Sequence, residues 1–415
     1  MNWRNWQNGV GLMAIEKNER MVILFLQRGR LLYELERYSE CLQIYLEAEK
    51  SLPETALHLR KDLAEEFSGI GNKLLWKDNN DNPIALTEAQ TAYQISVALN
   101  SDNSRAWRGL GVSLEKLGLY ESAIASYHQA INLDPQDAYL HNDLGRIYGD
   151  QGKYELAITS HQQAIELDPQ DAIPHNGLGN VYKAQGQYEL AIASYQQAIN
   201  LDPKEAGYHF NLGNVYLAQG KYELAITSYQ QAINLDPKYA SSYNSLGMVY
   251  KAQGKYEFAI ASYQQASDLD PKDASPHNSL GYLYLTQGDL EKAKPKFIEA
   301  INLDSEYWGY VMNLGIVRGL QGTQEEAITL WKQGLELLIG NSQYDRLFRS
   351  LHEVGIGEIE RGTNCLREIL ETEKPPLGIL SDVLKDAELI ARFPTKLEGI
   401  DTVIEMLRQA IEKAQ

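Results

Sequence analysis

The chain is poor in cysteine, carries no excess of positive charge and has no long apolar run. Its 415 residues include two cysteines, Cys41 and Cys365, far apart in sequence. That excludes a disulfide framework and a cysteine-based zinc site, both of which need several cysteines at close spacing. Each falls within a helical pattern, where a free cysteine acts as a small apolar core residue. Acidic residues outnumber basic ones 56 to 38, for a formal charge of −18. Phosphate-tracking proteins need clustered lysine and arginine, and no stretch supplies them, so no nucleic-acid partner is expected. The longest apolar run near the start, Met21 to Leu26, is too short for a signal-peptide core or a membrane span. The expectation is no membrane association and a cytoplasmic location. Apolar content of 44% is nonetheless enough for a packed protein.

Catalytic signatures are missing as well. No Gly-x4-Gly-Lys-Ser/Thr, His-Glu-x2-His or Gly-x-Ser-x-Gly occurs. Gly9-Val10-Gly11 and Gly69-Ile70-Gly71 lack the third glycine and the preceding strand of a dinucleotide site. Asp78, Asn80 and Asn82 have the alternate-oxygen spacing of a calcium loop, but Pro83 stands near the sharp turn and Ala89 replaces the closing glutamate. This segment reads as a solvated connector. His141, His175, His209 and His277 recur at one place in a repeat. Packed helices lie about 8–10 Å apart, whereas metal ligands must converge to about 2 Å, so these read as packing histidines. No catalytic residue, cofactor or metal is expected, and the chain reads as a non-enzyme.

What the sequence does have is a period. Gly111, Gly145, Gly179, Gly213, Gly247, Gly281 and Gly315 stand 34 residues apart, and Gly118, Gly152, Gly186, Gly220, Gly254, Gly288 and Gly322 keep the same step. Ala123, Ala157, Ala191, Ala225, Ala259, Ala293 and Ala327 form a third ladder. Each unit reads as two helices. From Ala138, the residues His141, Leu144, Gly145 and Tyr148 share one helical face. Gly152 then supplies a left-handed stop. Tyr154, Ala157, Ile158, His161, Ala164 and Ile165 follow at helical spacing, and Leu167-Asp168-Pro169 closes the unit. Asp171 caps the next helix, and Pro174 and Pro276 sit just inside helix starts, where a missing N–H costs little.

A glycine inside an exposed helix costs about 1 kcal/mol relative to alanine, so seven at one place need a reason. Small residues there would let the first helix approach the alanine face of the second. The large ladder Tyr127, His161, Tyr195, Tyr229, Tyr263, Phe297, Trp331 would wedge between neighbouring units. One pair cannot bury that surface alone, so the units must stack.

This period and its alternation of small and large residues resemble the tetratricopeptide repeat. The match is closest from Ser104 to about Leu303, and the unit from Trp308 to Ile339 matches with Arg318 and Gln324 in place of aromatics. The resemblance implies an all-α fold: a right-handed α-solenoid superhelix of stacked antiparallel helix pairs with C-terminal capping helices. Residues 1–103 are expected to hold degenerate units, 104–339 seven regular ones, and 340–415 a degenerate pair plus capping helices. The last helix carries Ile400, Val403, Ile404, Leu407, Ala410 and Ile411 on one stripe, as an end cap or as a docking or homo-oligomer seam.

In that family the first helices line the concave face, which binds an extended or helical peptide. By that resemblance the fifth, ninth and twelfth residues of each unit point into the groove: Asn142 and Arg146; Asn176, Asn180 and Lys183; Phe210 and Asn214; Asn244 and Lys251; Asn278 and Tyr282. An asparagine amide both donates and accepts, so a ladder of them could grip a peptide backbone. It is similar to the ladder in the repeat arm of O-linked N-acetylglucosamine transferases, although only Asn211 and Asn313 match that register. Copying of a polar surface residue among near-identical units remains the other reading. The carboxylate clamp of chaperone-tail binders is not expected, since Arg108 is followed by Val112 where asparagine belongs. The expected function is a scaffold or adaptor holding a protein or peptide. A sensor or regulatory subunit of a bacterial signalling or defence complex, and a self-assembling rod, are the alternatives.

Overall fold

The computed structural model describes residues 3–52, 56–76, 82–340, 342–394 and 396–414, with side chains from residue 18 onward. The fold is all-α, built of tandem helix pairs in an α-solenoid arrangement, with 22 helices and no strand among the described residues. Contacts divide the chain into two compact units, Met1–Pro203 and Lys204–Gln415.

The first unit holds α1 (Trp3–Glu34), α2 (Tyr38–Lys50), α3 (Leu57–Trp76), α4 (Pro83–Leu99) and α5 (Ser104–Lys116). It continues with α6 (Tyr120–Leu133), α7 (Ala138–Asp150), α8 (Tyr154–Leu167), α9 (Ala172–Ala184) and α10 (Tyr188–Leu201). Residues 77–81, where most of the calcium-like loop falls, lie outside the described residues; Asn82 caps α4 by accepting from Ile84 N at 3.0 Å.

Local chemistry fixes the boundaries of α9. At the start of α9, Asp171 Oδ1 accepts from Ile173 N at 2.9 Å, satisfying a backbone donor that has no intrahelical partner. At its end Gly186 takes φ +72, a left-handed conformation that costs glycine nothing. This lets Gln187 N donate back to Tyr182 O at 2.8 Å. All seven glycines of that ladder adopt φ between +69 and +84.

The other glycine ladder has a different role from the one expected. What enters the space above each glycine is the large ring of the paired helix, rather than the alanine face. A Cβ on Gly179 would stand 2.6 Å from Tyr195 Cε1. The same ring also reaches the following pair: Cβ atoms on Gly71 and Gly109 would meet Tyr93 at 2.8 and 2.3 Å. Glycine is therefore required by the ring, and the ring locks successive pairs together. Tyr93, Tyr127 and Tyr195 are each fully buried.

The second unit runs through α11 (Ala206–Ala218), α12 (Tyr222–Leu235), α13 (Ala240–Ala252), α14 (Tyr256–Leu269), α15 (Ala274–Thr286) and α16 (Leu290–Leu303). It ends with α17 (Trp308–Leu320), α18 (Gln324–Leu337), α19 (Gln343–Gly355), α20 (Ile359–Thr372), α21 (Leu377–Ile390) and α22 (Ile400–Ala414). Gly213, Gly247, Gly281 and Gly315 face Tyr229, Tyr263, Phe297 and Trp331 as in the first unit.

After α20 the stacking rule changes, and α21 packs back on α17 and α19. Phe393, just beyond α21, stacks on Trp331 with ring centroids 5.6 Å apart and planes 15° apart. The stripe on α22 is covered by the chain itself, with Ile400, Val403, Ile404 and Leu407 buried in the core of this unit. Ala410 and Ile411, at the end of the same stripe, are only partly buried.

Candidate functional site

In the first unit the groove residues expected from the sequence lie on α7 and α9, the first helices of two successive pairs. Asn142 is buried, and its Oδ1 lies 3.0 Å from His161 Nδ1. Arg146 is held by Glu115, with Nη2 donating to Oε2 at 2.8 Å, and Arg108 donates to Asp143 at 2.7 Å. Asn180 is exposed, and its Oδ1 accepts from the Tyr195 hydroxyl at 2.7 Å. Asn176 and Lys183 are half-buried beside it, and burial lowers the Lys183 ammonium from its ordinary value.

The asparagines are therefore partly committed to the stack. The ladder tyrosines Tyr127, Tyr195 and Tyr229 send their hydroxyls through to the first-helix surface, where Glu115, Asn180 and Asn214 accept them; the buried Tyr263 hydroxyl meets no such acceptor. The Tyr127 bond, to Glu115 Oε2, is 2.9 Å long. His161 interrupts the series: its ring is shorter than a phenol and ends against Gly177, where a Cβ would stand 2.4 Å from Cε1. The equivalent of Gly177 is Asp143 in the preceding pair. At this level lies a cavity of about 230 Å³, with Asn142, Arg146, His161, Asn176, Gly177 and Asn180 among its walls. Burial, with the Arg146 charge adding to it, lowers His161 to about 4, so the imidazole is neutral at pH 7.

In the second unit the same register gives a different surface. Phe210 packs edge-on against Tyr239, with centroids 5.2 Å apart, and near Tyr229. Asn214 Oδ1 accepts from the Tyr229 hydroxyl at 2.7 Å. The Asn244 side-chain oxygen is buried and meets no protein donor. Asn278 Oδ1 accepts from Asn313 Nδ2 at 3.0 Å, so two rungs of the ladder join one another. Lys251 Nζ lies 5.0 Å from the centre of the Tyr282 ring, and burial lowers its ammonium from the ordinary value.

Tyr282 makes the contact that the sequence did not announce. Its hydroxyl donates to Asp386 Oδ1 at 2.8 Å, so α21 lies across first-helix residues that the repeat alone would leave open. Asp386 shares the buried stripe of α21 with Val383, Ala387 and Ile390. A carboxylate on an otherwise apolar helical face is a signal that the sequence did carry.

Among the described residues no group of three or more His, Cys, Asp or Glu is placed to hold a metal ion. No helix among them is long and apolar enough to cross a membrane.

Residues 116–152, 145–186, 179–220, 213–254 and 247–288 match a family model described as TPR repeat, and residues 274–307 match one described as tetratricopeptide repeat. Among solved structures, a tetratricopeptide repeat protein from Parabacteroides merdae is 17% identical, over 60% of this chain and 98% of its own, with a TM-score of 0.50. MamA is 28% identical, over 39% of this chain and 95% of its own, with a TM-score of 0.35. PilF from Pseudomonas aeruginosa is 21% identical, over 50% and 94%, with a TM-score of 0.43. No curated protein sequence matches.

Proposed function

Since residues 116–307 form tetratricopeptide repeats and place the chain in that family, we propose that it is a non-enzymatic scaffold holding an extended segment of a protein partner along α7 and α9. The family supports a protein-interaction role in general. The finer reading rests on the cavity between these two helices, where His161 stands in place of the tyrosine of the neighbouring repeats and Gly177 in place of Asp143 and Asn211. Its inner walls carry little net charge: His161 is uncharged at pH 7, Arg146 is already paired with Glu115, and the Asp150 carboxylate lies exposed at the edge. Such a site suits an uncharged side chain of a peptide, with Asn176 and Asn180 at hand for the peptide backbone.

The second unit supports the same assignment from the other side. There α21 covers Tyr282 through Asp386, so that stretch of first-helix surface is occupied by the chain itself. The self-assembling rod draws less support from α22, where Ile400, Val403, Ile404 and Leu407 are buried and Ala410 and Ile411 partly buried.

The test is affinity capture with the full chain, comparing it with Asn176→Ala/Asn180→Ala and with His161→Tyr. A partner that uses this site is retained by the parent chain and reduced about tenfold or more by each variant, with helicity by circular dichroism unchanged. Equal retention by all three discards the assignment to α7 and α9.

A further inference from the structure

A second cavity, of about 180 Å³, lies wholly in the unit Lys204–Gln415, where α21 faces the first helices α15, α17 and α19. Its walls combine Tyr282, Tyr307, Trp308 and Tyr344 with the carboxylates of Asp382 and Asp386. We propose that this cavity binds an organic ammonium group bearing N–H donors, such as the head of a lysine side chain or a free primary amine.

Four observations converge on that chemistry. The first is the wall of rings. Tyr307 and Trp308 stack at 5.7 Å between centroids, and Trp308 lies 6.1 Å from Tyr344. Aromatic faces carry negative charge and attract a cation within about 6 Å of their centres. Tyr307 and Tyr344 are 41% and 36% exposed, which leaves part of each ring open to solvent at the cavity that Asp382 and Asp386 also line.

The second is an unbalanced charge. Asp386 is 5% exposed and has the Tyr282 hydrogen bond; Lys251 and Lys385 act on it only at longer range, and no ion pair in direct contact with it occurs among the described residues. Burying a carboxylate with its counter-charges out of contact is costly. Burial accordingly pushes Asp386 up to about 7, against the opposing effect of the Tyr282 hydrogen bond. Asp382, its neighbour one turn away, pairs with Lys385 in an exposed contact at 3.0 Å, the kind that contributes little and exchanges readily, and acts on Lys251 at longer range.

The third is an orphaned acceptor. His352 also lines the cavity and is 1% exposed. Its Nδ1 lies 2.8 Å from Phe348 O, and because a carbonyl can only accept, Nδ1 carries the proton. Nε2 is then an acceptor, and it meets no protein donor. A primary ammonium offers three N–H donors; a quaternary one offers none. The fourth is the absence of metal geometry: two carboxylates and one imidazole acceptor set among wide rings do not converge on a small hard ion.

This site is separate from the α7–α9 surface, and its test needs no protein partner. The full chain is titrated with n-butylammonium chloride at constant ionic strength against sodium chloride, following tryptophan fluorescence, since Trp308 forms a wall, and confirmed by calorimetry. Saturable binding of butylammonium is expected, weaker binding of tetramethylammonium and none of sodium. Asp386→Asn preserves shape and removes the charge; Tyr344→Leu removes a ring of the wall that also packs on Trp308 and Phe348. Each is expected to weaken binding about tenfold, with melting followed so that a misfolded variant is recognised. Nα-Acetyl-lysine N-methylamide binding more tightly than butylammonium identifies a peptide lysine as the natural group; equal or weaker binding identifies a free amine. No saturable butylammonium signal, or binding undiminished in both folded variants, overturns the proposal.

Discussion

The Tyr282 hydroxyl donates to Asp386 Oδ1 across 2.8 Å, tying α15 to α21 through residues 104 apart in sequence. This bond holds the C-terminal helices over the inner surface of the last repeats, and it is the one polar anchor described between those two helices. Tyr282→Phe removes the donor and leaves a buried carboxyl without it, at a cost of about 1–3 kcal/mol. The expected result is a lower urea midpoint with an unchanged slope, together with faster amide exchange in α21.

Acid and base act in opposite directions on this chain. The folded state raises Asp386 to about 7 from an ordinary 3.8, chiefly by burial, so between those values the folded chain keeps a proton that the unfolded chain has lost. Its contribution is complete below pH 4 and disappears as pH rises through 7. Asp386→Asn is therefore expected to gain on the parent chain as pH rises, by on the order of 2–4 kcal/mol at pH 8. Urea unfolding of both proteins at pH 5 and pH 8 measures the difference.

His161 has the reverse sign. Burial, with the Arg146 charge adding to it, lowers it to about 4 from 6.5, so its contribution is present above pH 6.5 and is lost as pH falls through 4. His161→Tyr restores the residue of the neighbouring repeats. This variant is expected to fold and to reduce the acid-side loss by about 2–3 kcal/mol, seen as a flatter plot of stability against pH between 7 and 4. An unchanged acid slope would place the titration elsewhere.

The two glycine ladders should fail differently. At Gly213 a Cβ would stand 2.7 Å from the buried Tyr229 ring, and leucine there must displace the wedge that joins one pair to the next. A loss of about 3 kcal/mol or more is expected, enough to lower the thermal midpoint by several degrees. At Gly220, with φ +69 and open space around it, alanine meets only backbone strain of about 1–2 kcal/mol.

The sequence made the repeat legible because its physics is local. Turn glycines, cap aspartates and small-large alternation recur every 34 residues, and each does its work within one helix pair. The reason for the Gly179 ladder was harder to read, because ring and glycine meet 16 residues apart in sequence, as Tyr195 and Gly179 do. The groove positions could be named from helical spacing, but not their commitments. That Asn180 accepts from Tyr195, or Asn278 from Asn313, depends on side chains crossing between helices. The folding back of α21 was beyond reach altogether. Nothing in Leu377–Ile390 specifies a surface 104 residues upstream, and only the lone acidic group in its apolar stripe hinted at a polar partner.

The most direct measurement of where this protein holds its partner is hydrogen–deuterium exchange of the full chain with and without the captured protein. Slowed exchange is expected in peptides covering Ala138–Asp150 and Ala172–Ala184, and it should be absent in the Asn176→Ala/Asn180→Ala variant. Protection confined to the second helices Tyr154–Leu167 and Tyr188–Leu201, or to the C-terminal helices alone, would contradict binding along the first-helix surface.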